Sequence, residues 1–450
     1  MKKNLRLGQY ITIASMLFGM LFGAGNLIFP VSMGQMAGRN VWWAVLGFLI
    51  TAVTLPILSV AALGISRCGG LNELSSRVGR GYGAFFTCAL YLTIGPFFAI
   101  PRCATVSFTV GVSPMLNGGA SALPLALFSL AFFAAALWFS LRPSNILTWV
   151  GRVLNPLFLV FLGILVVTAL LRPAGAVGAI EPVNAYVDQA FFTGFLEGYN
   201  TMDVLAGLAF GIVVVGVIRG LGVEEPGDVA RSTVKAGVFS GLLMAVIYVA
   251  ITVVGTQSRG AYPASANGGE ALLVIARHYF GTVGTVILAC TVTFACLKTV
   301  VGLVTSCGQT FAAMFPGSYR VWAVIFCVVS FLIANLGLDA IIAYSLPVLM
   351  FLYPLAISLV LLALLGRWFN NDQGVYIWTT AFTAVAAVFD LFKALPEGVR
   401  AALHLDGAVA WAGRWLPLFH LGLGWLCPAA VGLAIGYALY RARRGKPVKG

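Results

Sequence analysis

The chain has 450 residues, of which 60% are hydrophobic and only 9% charged, with a mean hydropathy of +0.98. A soluble domain carries roughly 25% charged residues, so this chain cannot clothe a water-facing surface of ordinary size. Disordered, collagenous, disulfide-rich and soluble-enzyme classes are excluded, leaving an all-α polytopic membrane protein of about 11 to 13 spans at ~20 apolar residues each. The apolar runs are continuous rather than alternating, which excludes a barrel.

Taken in chain order, the N-terminus (Lys2, Lys3, Arg6, then apolar residues) imitates a signal peptide but has no A-x-A-like cleavage site. It predicts a first membrane helix that starts in the cytoplasm. Apolar runs between turn and charge clusters predict twelve spans, at 8–34, 41–66, 84–112, 122–141, 145–171, 191–218, 232–256, 282–312, 318–335, 339–365, 375–392 and 414–440. Residues 257–281 read as an external loop with a short helix, and 393–413 resemble it. The net charge of +13 is then a topology signal rather than a nucleic-acid one: eighteen Lys and Arg fall on the predicted cytoplasmic side, seven outside, and Arg102 and Lys298 within spans. Both termini are expected in the cytoplasm.

Pairing the first five spans with the second five gives starts 191, 198 and 194 residues apart for the second and seventh, third and eighth, and fifth and tenth. Because five is odd, such a repeat must be inverted, an architecture common among secondary transporters. The reading is one transporter domain over 1–450, with repeats at 8–171 and 191–365 and two additional C-terminal helices at 375–440.

The first span carries FGMLFGAGNLIFP, residues 18–30. Gly19, Gly23 and Gly25, followed by Asn26 and closed by Pro30, predict a helix break at mid-membrane depth, because Gly and Pro are costly in a helix interior. Freed carbonyls there hold a cation and freed amides a carboxylate; close helix packing through small residues is the alternative. The sixth span carries GFLEGYNTMDVLAGLAFG, residues 194–211, with Asn200, Thr201 and Asp203 in a matching position. A carboxylate at that depth needs a cavity or a partner. Asp203 is either the partner of a substrate ammonium or one half of a buried ion pair. In the eighth span Lys298, Gly302, Thr305 and Ser306 share one helical face; the two hydroxyls are hard oxygen ligands suited to sodium, or else bond back to their own helix backbone, the usual arrangement in membrane helices.

These three segments, together with IGPFFAIPR in the third span, resemble the branched-chain amino acid:cation symporters, bacterial inner-membrane carriers of the leucine-transporter-fold superfamily. The likeness covers essentially the whole chain. It implies five-plus-five inverted repeats with discontinuous first and sixth helices, and uptake of leucine, isoleucine and valine with a sodium ion or proton. Carried over, the sodium site falls on the carbonyls of Gly19, Phe22 and Gly302 and the hydroxyls of Thr305 and Ser306. The substrate carboxylate faces the amides near Gly23, Ala24, Gly25 and Asn26, and its ammonium the stretch from Asn200 to Asp203. Phe97, Phe98 and Tyr199 are candidates for the aliphatic pocket.

Lys298 sits one turn from Gly302, where it either faces the cation site or pairs with Asp203; the pair is the expectation. Arg102 and Glu197, at similar outer depth, are expected as an ion pair that gates the vestibule or braces it. Asp390, near an external helix end, is expected to be solvated. No cofactor beyond the transported ion, no nucleic acid and no partner other than substrate and lipid is called for, and nothing sets an oligomeric state beyond a monomer. The eight cysteines form no CxxC pair, and the three histidines (His278, His404, His420) are scattered. No nucleophile or phosphate-binding motif points to an enzyme. The rivals are a same-fold carrier for another amino acid, a membrane-embedded transferase and a channel.

Overall fold

A computed structural model describes residues 5–66, 68–116, 122–142 and 155–444. The predicted start of the fifth span (145–154) and Lys2, Lys3, Arg67, Arg152, Lys446 and Lys449 lie outside the described residues. No strand occurs among the described residues, and seven helices are long and apolar enough to cross a membrane, or eight if one bent pair counts as a span. Shorter apolar helices add to these.

The first element, α1 (Leu7–Leu21), stops where the sequence predicts. Phe22 turns extended (ψ 99°), Gly23 stays extended (φ −121°, ψ −162°), and α2 (Ala24–Ala37) begins at once. A Cβ on Gly23 would lie 3.2 Å from Cγ2 of Thr299, a tight contact that favours glycine there. The Asn26 side chain reaches back and accepts from the Gly23 amide at 2.8 Å, an N-terminal cap built three residues into the new helix. Pro30 lies inside α2, and the helix runs on to Ala37 without the hydrogen bond that Pro30 cannot donate.

Next come α3 (Val41–Leu49) and α4 (Leu55–Ser66), joined by a wide π turn, and a short helix, α5 (Leu71–Ser75). The third span is not the unbroken helix expected over 84–112. It is α6 (Arg80–Leu92) and α7 (Ala99–Gly111), separated by a kink in which Gly95 leaves helical geometry (ψ −124°) just before Pro96. α8 (Ala122–Ser140) and α9 (Asn155–Leu171) follow.

α10 (Ala190–Glu197) ends in a tight turn over Gly198–Thr201, and Met202 takes the left-handed conformation (φ 62°, ψ 16°) before α11 (Asp203–Gly220) starts. A left-handed residue with a side chain costs roughly 1–2 kcal/mol, so packing must hold it there. Asp203 opens α11, where a carboxylate suits the positive end of the helix dipole.

α12 (Pro226–Ser258) is continuous, whereas α13 (Gly268–Met314) bends at Gly281 (φ +58°), so that the expected external helix becomes the first arm of one long element. α14 (Tyr319–Ala334), α15 (Leu338–Leu365) and α16 (Gln373–Ala394) follow. The second external stretch folds into α17 (Glu397–Ala402) and α18 (Asp406–Trp415). The last helix, α19 (Leu426–Arg444), starts well after the predicted 414, because Leu418 and Gly422 adopt positive φ around a single turn at Phe419–Leu421.

α1 and α2 pack along α12, α10 packs on α3, α11 on α4, and α13 runs along α7. This arrangement puts the α1–α2 and α10–α11 breaks against each other inside the molecule. α16 packs against both α15 and α19.

Candidate substrate site between two broken helices

Arg102, Asp203 and Asp390 are the charged side chains that are buried among the described residues, and two of them line one cavity. Its walls are the α1–α2 break, the α10–α11 break, α7 and α13. Asp203, 1% exposed, accepts at Oδ2 from Asn26 Nδ2 (2.6 Å) and from the Tyr248 hydroxyl (3.2 Å). The Asn26 amide also donates to the Tyr248 hydroxyl while its Oδ1 holds the Gly23 amide, so all three sites it offers here are used and its orientation is fixed. Both bonds to Asp203 end on Oδ2, which leaves Oδ1 for a guest. Thr201 folds its hydroxyl back onto the Gly198 carbonyl (2.9 Å) and receives the Asp203 amide at 3.4 Å.

Gly23, Ala24, Gly25, Asn26, Thr201 and Asp203 are thus brought together from two segments about 177 residues apart. Asn200 joins them through its backbone, whose carbonyl accepts from Arg102 Nη1 at 2.7 Å. The apolar wall consists of Leu21, Ile94, Ala99, Ala206, Phe210 and Leu303. None of the expected pocket residues belongs to it: Phe97 is exposed, and Tyr199 is stacked on Tyr353 at 4.1 Å.

The expected Arg102–Glu197 ion pair does not form. Arg102 points inward, onto the Asn200 carbonyl and over the Phe29 ring (5.0 Å), whereas Glu197 ends α10 half-buried. The expected Lys298–Asp203 pair is absent too, since Asp203 takes its bonds from Asn26 and Tyr248. Helix geometry gives the reason: α13 presents Thr299 and Leu303 to the cavity, and Lys298, one residue earlier, is turned by about 100° from Thr299.

Of the expected cation ligands, Gly19 and Phe22 are buried at the end of α1, with the Phe22 ring stacked on Phe18 (4.9 Å). The Thr305 hydroxyl donates to the Val301 carbonyl (2.7 Å) and lies 3.4 Å from the Tyr319 hydroxyl, which donates to the Ser140 carbonyl at 2.7 Å. Gly302 and Ser306 are half-buried on the same helix. None of these five lines the cavity.

Asp390 corrects another expectation. It is buried, not solvated, and neither carboxylate oxygen has a hydrogen-bond partner among the described residues. Tyr248 and Thr299 are the participants that the sequence does not single out, and Arg102 takes part from inside the cavity rather than with Glu197.

A family described as "Branched-chain amino acid transport protein" matches residues 7–443. The chain belongs to this family. It is 53% identical over 438 residues to the branched-chain amino acid permease BrnQ of Lactobacillus delbrueckii subsp. lactis, covering 97% of each chain. It is 42% identical over 440 residues to the permease of the same name in Bacillus subtilis (strain 168), covering 98% of each. Among solved structures, the inward-facing conformation of Mhp1 matches with a TM-score of 0.61 at 12% identity, over 96% of this chain and 91% of that one. MhsT in complex with L-phenylalanine matches at 0.58 and 16%, over 97% and 99%. The chain therefore shares the fold of these two proteins, and its family and relatives are transport permeases, not enzymes.

Proposed function

We propose that the chain carries leucine, isoleucine and valine inward across the bacterial cytoplasmic membrane, driven by a sodium or proton gradient. The family and the names of the relatives support the substrate class. The observation that carries the reading is the meeting of two helix breaks on one cavity, with Asn26 bonded to Asp203 across them. The amides of Ala24, Gly25 and Asn26 receive the substrate carboxylate at the positive end of α2. Asp203 Oδ1 receives the ammonium, and the apolar wall takes the aliphatic side chain at about 0.8 kcal/mol per buried CH2.

The cation site is proposed beside the break, on the carbonyls of Gly19, Phe22 and Gly302 and the hydroxyls of Thr305 and Ser306. Where α1 ends, its last carbonyls lack helical partners. Thr305 must first rotate away from Val301 and Tyr319. A cation there orders the α1–α2 break, so substrate binds better, and by linkage substrate tightens the cation equally.

Twelve spans in a five-plus-five inverted repeat complete the proposal. It is supported by reciprocal packing: the first span lies on the seventh and the sixth on the second, the same contact with the halves exchanged. Cytoplasmic termini follow from the Lys and Arg count. Uptake of radiolabelled leucine into proteoliposomes, with sodium and proton gradients imposed separately and a panel of competing amino acids, tests this reading. Saturable uptake driven by one gradient and competed by isoleucine and valine supports it. Transport of none of the three refutes it.

A further inference from the structure

We infer that Arg102 is the group that recognises the carboxylate of the transported amino acid, and so restricts the site to substrates whose carboxyl is free. The inference rests on the cavity being the amino-acid site. Arg102 is 3% exposed and inside the molecule, where an unbalanced charge is expensive. Among the described residues no carboxylate pairs with it. One corner of the guanidinium is used: Nη1 donates to the Asn200 carbonyl at 2.7 Å, and the Phe29 ring lies 5.0 Å from the central carbon. Nε is buried without a partner, and Nη2 makes no hydrogen bond among the described residues. Nε and Nη2 form the edge that grips a carboxylate by two parallel N–H···O bonds.

The Nη2 end of that edge is beside a place to bind. Nη2 lies against Gly25, close enough that a Cβ there would come within 2.7 Å of it. Arg102, Gly25 and Asp203 all line the same cavity. A cationic fork and a carboxylate with one unused oxygen therefore share a single small space. An α-amino acid zwitterion neutralises both at once, with its carboxylate on Arg102 and the α2 amides and its ammonium on Asp203. A primary amine or an amino-acid amide satisfies Asp203 but leaves the guanidinium buried and unpaired. The Asn200 carbonyl bond also attaches Arg102 to the α10–α11 break, so the same guanidinium touches the second broken helix and the guest.

The test is equilibrium binding of leucine, leucinamide and isoamylamine to purified wild-type, Arg102→Gln and Arg102→Lys proteins, with melting temperature as the fold control. Wild type is expected to prefer leucine over leucinamide by about 100-fold or more, the penalty for leaving a buried charge unpaired. In Arg102→Gln leucine binding falls at least tenfold and the preference shrinks to within about fivefold; Arg102→Lys lies between. A folded Arg102→Gln protein that keeps the wild-type preference overturns the inference, even if both ligands weaken, because equal weakening is what a strut on Asn200 produces. If Arg102→Gln does not fold, an unchanged preference in Arg102→Lys overturns it. Failure of the underlying reading looks different: wild type then binds none of the three branched-chain amino acids. The same comparison of acid with amide is in that case made on whichever amino acid it does bind.

Discussion

Asn26 and Asp203 are 177 residues apart in the chain and 2.6 Å apart in space, amide nitrogen to carboxylate oxygen, and each sits at the start of the second half of a broken helix. This bond holds the two breaks in register. It also aims Asp203, because Asn26 and Tyr248 occupy the same carboxylate oxygen.

Asn26→Ala and Asp203→Asn are each expected to weaken leucine binding by about 10- to 100-fold, the range for losing a buried hydrogen bond to a charged group. The double variant is expected to fall short of the product of the two single losses, since the Asn26–Asp203 bond is lost in both, although Asn26 also holds the Gly23 amide and Asp203 also faces the ammonium. Binding isotherms on all four proteins check this, and full additivity would show that the two residues act separately.

Gly25 and Gly216 separate close approach from ordinary helix propensity. A Cβ on Gly25 meets the Arg102 guanidinium, whereas nothing lies within 4 Å of one on Gly216, in the middle of α11. Gly25→Ala is expected to cut leucine uptake at least tenfold with normal membrane insertion. Gly216→Ala is expected to leave uptake unchanged and raise stability by about 0.5–1 kcal/mol. Uptake rates and melting curves on the pair decide the point.

Thr305 bears on the driving ion. If its hydroxyl and that of Ser306 hold sodium, Thr305→Ala with Ser306→Ala raises the sodium concentration for half-maximal uptake at least tenfold, with little change in expression. Tyr319→Phe removes the hydroxyl that lies 3.4 Å from Thr305 Oγ1 while donating to the Ser140 carbonyl, and is expected to lower that concentration. Sodium titrations of uptake distinguish these results, and an unchanged midpoint in the double alanine variant refutes the assignment.

Asp390 is buried with both oxygens unpartnered, beside Gly424 in the turn that precedes α19. A buried carboxylate without a hydrogen-bond partner among the described residues costs free energy, so Asp390→Asn is expected to melt at or above the wild-type temperature and to keep leucine uptake. A melting temperature several degrees lower would mean that the carboxylate is bonded in the folded protein.

Both breaks were legible because their signals are local: GAGN and GYNTMD place glycines, amides and a carboxylate where a membrane helix tolerates them poorly. Local signals do not fix azimuth on a helix. The face defined by Lys298, Gly302, Thr305 and Ser306 is not the inner face of α13, since Thr299 and Leu303 face the cavity. For the same reason the sequence paired Arg102 with Glu197 by depth, although its side chain turns toward Asn200. Tyr248 gave no signal at all, as one tyrosine in an apolar run, and its role depends on α12 crossing both breaks. The kink between α6 and α7 had a local cue, Gly95 before Pro96, but an apolar run long enough to cross the membrane masked it.

The most direct test of the site is to fill it. Ala206 lies on α11 in the cavity wall, one turn after Asp203. Leucine binding to purified Ala206→Trp protein, measured beside wild type with melting temperature as a control, is expected to vanish while the fold persists. Saturable leucine binding at the wild-type affinity in that folded variant would place the substrate elsewhere and contradict the site proposed between the two broken helices.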